Sequence, residues 1–116
     1  MNLRRLNEIV GDLKARGITL ASCESLTGGL FASTVASCPG VSACFKGAIC
    51  SYATSVKENL LKISPETISR YGVVSEEVAE EMARRGAELL DADLCVSFTG
   101  NAGPAAMEGK PVGLVY

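Results

Sequence analysis

The stretch that most constrains the fold is Ile18-Thr19-Leu20-Ala21-Ser22-Cys23. It is too short and too uniformly apolar for an amphipathic helix, and it reads as a β-strand buried on both faces. Such a strand requires covering layers above and below, and its neighbours can supply them. Upstream, Leu3, Leu6, Ile9, Val10 and Leu13 recur at helical spacing, with Gly17 as a stop. Downstream, a helix is expected from about Gly28 to Ser37, ended by Cys38-Pro39-Gly40.

The alternation continues along the chain. Phe45 to Ala53 reads as a second strand, followed by a helix carrying Val56, Leu60 and Leu61. Ser64-Pro65-Glu66 signals a helix start, with Ser at the cap and Pro at the first position, and Gly72 signals its stop. Ser75 caps a longer helix with Glu76 and Glu77 in its first turn. One face of that helix carries Val78, Ala79, Met82, Ala83, Gly86 and Leu89; on the other, Glu80 is spaced to pair with Arg84 and Glu81 with Arg85. Leu94 to Thr99 is a third expected strand, Gly100 to Lys110 a loop, and Val112 to Tyr116 a fourth strand. Strands alternating with helices predict an α/β domain with helices layered on a sheet, and residues 1–116 form one domain. The last expected strand runs into the final residue, so the domain reads as shortened at its C-terminus, with a sheet edge left to cover.

Composition removes several classes of function. With 47% hydrophobic and 21% charged residues, the chain is globular. A net charge of −2, with 11 basic residues scattered among 13 acidic ones, lacks the footprint of a nucleic-acid binder. No apolar run approaches a membrane span and the N-terminus lacks a signal-peptide core, so the protein is expected to be cytoplasmic. The five cysteines are an odd number and form no Cys-x-x-Cys; without histidine beside them, neither a disulfide framework nor a metal site is expected.

Ligands of open α/β sheets sit beyond the carboxyl ends of the strands. Three such ends are polar or glycine-rich here: Glu24 to Gly29, Tyr52 to Lys57 and Thr99 to Pro104. Ser25, just past a strand and before a helix, stands where a nucleophile would be exposed; it or Thr27 could equally be a helix cap. Gly28-Gly29 is an unusual helix start, explained by a phosphate or carbonyl approaching the backbone, or by a tight helix–strand contact. With no histidine, a serine nucleophile needs another base, and Lys57 is the best-placed lysine, against its reading as a solvated helix lysine. The small residues of Thr99 to Pro104 fit a loop whose backbone approaches a ligand, or a plain turn. Glu24 could hold a substrate hydroxyl, orient the site or pair with a basic neighbour.

Five ordered motifs carry a family resemblance. Glu24-Ser25-x-Thr27-Gly28-Gly29, Tyr52-x-x-x-x-Lys57, Gly72-Val73-Val74-Ser75-Glu76-Glu77, Thr99-Gly100-x-Ala102-Gly103-Pro104 and Lys110-Pro111-Val112-Gly113 together resemble the C-terminal domain of competence-damage-inducible CinA proteins. The likeness runs from about Leu6 to the last residue. It implies a three-layer α/β/α sandwich around a mixed, mostly parallel sheet, with the strand near Val112 antiparallel to its neighbours. It also implies an amidohydrolase that converts nicotinamide mononucleotide to nicotinate mononucleotide and ammonia, with no metal or cofactor. In that scheme Ser25 is the nucleophile and Lys57 its general base, and Tyr52 and Thr99 orient the dyad or the amide. Glu24, Thr27, Gly28, Gly29, Gly100, Ala102 and Gly103 lie beside the substrate, and the Gly28-Gly29 helix start is a candidate seat for the 5′-phosphate. The partners implied are a small-molecule nucleotide and further copies of the chain. The alternative is a catalytically silent nucleotide- or partner-binding module of the same fold. This sequence differs from the common family motifs at Leu26 and at Ala53-Thr54-Ser55, next to the two dyad positions. Relatives continue past Val112 with a further strand and helix.

Overall fold

The computed structural model describes residues 2–116. Helix α1 (Leu3–Arg16) is capped by the Asn2 side chain, which accepts from the Arg5 N–H, and is stopped by left-handed Gly17. Strand β1 (Leu20–Glu24), helix α2 (Leu30–Ala36) and a 3₁₀ turn (Val41–Ala43) follow, then β2 (Phe45–Cys50) and α3 (Thr54–Asn59). Helices α4 (Pro65–Tyr71) and α5 (Glu76–Leu90) lead into β3 (Leu94–Phe98). The strands form a parallel sheet in the order β2-β1-β3. The end of the chain returns antiparallel beyond β3: Thr99 and Tyr116 exchange backbone hydrogen bonds at 3.0 and 2.8 Å, and Gly100 bridges Val115. The expected fourth strand, Val112 to Tyr116, is thus reduced to an antiparallel bridge, and the three-stranded sheet proper is parallel and open.

β1 explains why its sequence is apolar throughout. All five of its residues are buried, and they feed two cores. Leu20 joins Leu6, Val10, Leu13 and Val35 under α1 and α2. Cys23 joins Leu61, Ile63, Val78 and Met82 under α5. Each fully buried Val or Met side chain of this kind stabilises the fold by roughly 1.5–3 kcal/mol before ordering entropy is subtracted. β2, by contrast, alternates half-buried and exposed residues, as an edge strand does. On β3 the face away from α5 is bare: Leu94 and Val96 are exposed, as are Val115 and Tyr116 beside them. No helix among the described residues is long and apolar enough to cross a membrane.

Several local expectations are corrected. The second strand ends at Cys50 rather than Ala53, and α2 starts at Leu30 because Gly28 and Gly29 are left-handed, with φ of 60° and 103°. Ser64 stands at the start of α4 but its side chain caps nothing; its N–H instead donates to Glu81 Oε1 at 2.9 Å. That contact draws Glu81 away from Arg85, whose guanidinium meets Glu88 at 3.4 Å, and Arg84 likewise turns to Glu88 rather than Glu80. Leu89 is exposed, so the buried face of α5 is Val78, Ala79, Met82 and Gly86.

Candidate active site

Strand register builds the site. Glu24 is opposite Cys50 on β2 and Phe98 on β3, so the next residue of each strand, Ser25, Ser51 and Thr99, falls in one row at the carboxyl edge of the sheet. All three are buried. Helix α3 starts just beyond this row and sends Lys57 back across it. The side chain is only 2% exposed. Its Nζ lies 2.8 Å from Ser25 Oγ, 2.6 Å from the Ser51 carbonyl and 3.2 Å from the Tyr52 carbonyl.

Three oxygens around one amine admit two arrangements. A charged ammonium donates to all three; a neutral amine donates to the two carbonyls and turns its lone pair to the Ser25 hydroxyl. Burial lowers the Lys57 pKa from its ordinary value, opposed by charge on nearby Cys50. The two carbonyls thus fix the amine's orientation, and desolvation brings its basic form within reach.

The other expected residues sort into those that reach the cavity beside this pair and those that do not. Ser25, Lys57, Tyr52, Thr99, Gly100, Ala102 and Gly103 line a cavity of about 170 Å³. Within it, the Thr99 hydroxyl is already engaged, donating to the Val73 carbonyl at 2.7 Å. The Tyr52 ring is largely exposed, and the contribution of this residue to Lys57 is its backbone carbonyl. Glu24, Thr27, Gly28 and Gly29 are not part of the cavity lining.

Glu24 is fully buried with its carboxylate turned into the start of α2, where it accepts from the Phe31 N–H at 3.0 Å and the Ala32 N–H at 2.9 Å. Burial pushes its pKa up, but these bonds and the nearby Thr27 hydroxyl and Gly29 N–H outweigh it and hold the group below its ordinary value. Thr27 Oγ1 is buried there without a completed hydrogen bond. The expectation of a phosphate at the Gly28-Gly29 helix start is corrected on the same ground: the N–H groups that would receive it already hold a carboxylate of the protein. The glycines answer a conformational need, since a Cβ on either would meet nothing within 4 Å.

Four contributors were not foreseen. Ser51 joins the strand ends: its N–H and hydroxyl donate to the Glu24 carbonyl at 2.8 and 3.3 Å while its own carbonyl holds Lys57. Asn101, 1% exposed, shapes the glycine loop by accepting from the Gly103 N–H and donating to the Lys110 carbonyl, both at 3.2 Å. Glu108 and Lys110 dock the following loop onto the 71–74 turn: Glu108 accepts from the Val73 and Val74 N–H groups, and Lys110 donates to the Tyr71 and Val74 carbonyls. The alternation of small polar residues at strand ends was the only available signal for Ser51; Asn101 and Lys110 lie within motifs already singled out but without an assigned role, and nothing local marked Glu108. A larger groove of about 350 Å³, between α4 and α5, is lined by Thr67, Tyr71, Glu77, Glu80, Glu81 and Arg84 and lies apart from the Ser25–Lys57 pair. No group of histidine, cysteine or carboxylate residues able to hold a metal occurs among the described residues.

Fold and site together define an open α/β domain with a buried, hydrogen-bonded Ser25–Lys57 pair where its parallel strands end. The chain belongs to the CinA C-terminal domain family, whose model matches residues 3–116. A competence-damage inducible protein of Levilactobacillus brevis is 51% identical over 108 residues, covering 93% of this chain and 26% of the relative. One of Listeria innocua is 43% identical over 104 residues, covering 90% and 25%. The chain thus spans about a quarter of the length of these curated relatives. Among solved structures, competence damage-inducible protein A of Klebsiella pneumoniae superposes with a TM-score of 0.94 at 32% identity, over 99% of this chain and 73% of that one. A CinA superfamily protein of Escherichia coli gives 0.94 at 32% identity, over 98% and 67%.

Proposed function

We propose that the chain is an amidohydrolase domain that deamidates nicotinamide mononucleotide to nicotinate mononucleotide and ammonia through a Ser25–Lys57 dyad. The observation that carries this reading is the Lys57 amine, held by two carbonyls with Ser25 Oγ as its third neighbour at 2.8 Å. That distance is inside the range expected of a nucleophile and its base. The substrate itself comes from the family resemblance, and the cavity is compatible with it. At about 170 Å³ the space suits a carboxamide on a flat ring, and falls below the roughly 300 Å³ at which clefts begin to enclose a whole drug-sized ligand. The ribose phosphate would therefore extend outside it.

Neutral Lys57 takes the proton of Ser25, whose oxygen bonds to the carboxamide carbon as the carbonyl π electrons move to oxygen. The N–H groups of Leu26 and Ala102 belong to cavity-lining residues and have no hydrogen-bond partner among the described residues, so they are available to that oxyanion. Collapse breaks the C–N bond; Lys57 returns the proton and ammonia leaves. Water, deprotonated by the same amine, then cleaves the acyl-serine and releases the carboxylate. Ammonia release from nicotinamide mononucleotide, compared between this chain and its Ser25→Ala variant, tests the reading. Release that is lost in a folded variant is expected; equal release from both would move the chemistry away from Ser25.

A further inference from the structure

Ser25 leaves β1 one residue after a carboxylate that never meets solvent. Glu24 is 0% exposed, and its side chain and backbone hold two different parts of the site. Oε1 accepts from the Phe31 N–H and Oε2 from the Ala32 N–H, with the Ser22 hydroxyl a further 3.4 Å neighbour of Oε2. Its backbone carbonyl accepts from the Ser51 N–H at 2.8 Å, and the Ser51 carbonyl holds Lys57. The side chain thus ties α2 to the end of β1, while the main chain ties in the base.

Between those anchors lies a five-residue turn, 25–29, that carries Ser25 and Leu26. Two of its residues are left-handed glycines, which are costly to order. Its internal braces are the Gly28 N–H to the Ser25 carbonyl and the Leu30 N–H to the Thr27 carbonyl, both 3.0 Å. The carboxylate spans the turn and bonds beyond both. Glutamine cannot reproduce this, because one of its two terminal atoms becomes an NH₂ facing an N–H donor.

We propose that Glu24 is a positioning residue for the nucleophile: bound across the turn to α2, it sets where Ser25 Oγ and the Leu26 N–H stand, without touching the substrate. The inference rests on the Ser25–Lys57 dyad of the reading above, and one assay also uses its substrate; the second assay needs the dyad but not that substrate. The unmodified chain, Glu24→Gln and Glu24→Asp are compared by steady-state ammonia release from nicotinamide mononucleotide and by the rate at which an alkyl fluorophosphonate labels Ser25. In that labelling the serine oxygen bonds to phosphorus, fluoride leaves with the P–F electrons, and the hydroxyl proton passes to Lys57.

The expected result for folded Glu24→Gln is a kcat lower by about 10²–10³, the loss typical of a displaced oxyanion donor, with KM nearly unchanged and labelling slowed in parallel. Glu24→Asp keeps the charge but is one methylene short of the α2 N–H groups, and it should show the same pattern. A folded Glu24→Gln that keeps kcat and labelling rate within about threefold of the unmodified chain overturns the proposal. So does loss of cooperative unfolding in both variants, which would assign Glu24 to the fold as a whole. An unmodified chain that releases no ammonia, yet labels at Ser25 in a Glu24-dependent way, overturns the substrate and leaves Glu24 in its role. Absence of any Ser25 labelling overturns both.

Discussion

An amine with three oxygen neighbours is a base only if one of its positions is a lone pair. Around Lys57 two neighbours are carbonyls, which can only accept, and the third is a hydroxyl, which can donate. Burial favours the neutral form and lowers the pKa from 10.5. Activity that depends on neutral Lys57 should rise tenfold per pH unit on the acid side and level off at a pH below 10.5, which a kcat/KM profile would read directly. Lys57→Arg should be inactive across that range, because a guanidinium does not deprotonate. An arginine variant with the parent's pH profile would remove Lys57 from the proton path. Ser25 and Lys57 were legible in the sequence because each follows a strand, and strand ends of an open α/β sheet converge. The engagement of the Thr99 hydroxyl by Val73, 26 residues upstream, was not: a side chain's partner across such a distance leaves no trace in its local pattern.

At the level of elements, two helix glycines carry opposite expectations. Gly86 on α5 lies against the sheet, where an added Cβ would stand 2.3 Å from Cys23 Sγ and 2.8 Å from Cys95 Sγ. Gly11 on α1 has nothing within 4 Å of the same position. Gly86→Ala should therefore force the helix off the sheet and cost about 1–3 kcal/mol, as overpacking does. Gly11→Ala should stabilise by roughly 0.5–1 kcal/mol through helix propensity alone. Thermal unfolding of the two variants checks both signs, and a Gly86→Ala protein as stable as its parent would show that the helix–sheet contact yields freely. The sequence placed Gly86 on the buried face of its helix, since periodicity reveals which side faces the core. It also put Leu89 there, and it paired Glu81 with Arg85. Those two failed because helix periodicity knows neither how far the sheet extends nor that the Ser64 N–H would compete for Glu81.

Over the whole molecule, besides Glu81 at the Ser64 N–H, three carboxylates join segments that are near, intermediate and far in sequence. Glu24 reaches seven and eight residues ahead to α2, Glu108 reaches 35 and 34 back to Val73 and Val74, and Asp93 reaches 74 back to Thr19 at the entry to β1. All three are held below their ordinary pKa. For Asp93 the cause is the Thr19 N–H and hydroxyl; for Glu108 burial opposes the shift, and the Val73 and Val74 N–H groups with Lys110 overcome it. A carboxyl whose pKa is depressed by folding contributes stability in full above its unfolded value, and loses that contribution as pH falls through its folded value. The contribution of these three carboxyls should thus be level above about pH 5 and decline as the solution is acidified below the ordinary values of 4.5 for Glu and 3.8 for Asp. Glu108→Gln separates one tie from the others. At pH 7 it should lower the urea midpoint, weaken the acid decline, and reduce amide-exchange protection at Val73 and Val74 while leaving that of β1 unchanged. Equal protection at Val73 and Val74 in parent and variant would mean that the loop is held by Lys110 alone, whose ammonium bonds the Tyr71 and Val74 carbonyls of the same turn. The distinction matters for the cavity, because Met107 stands on its wall next to Glu108. If the carboxylate is the tie, protonating it opens the site before the sheet itself gives way.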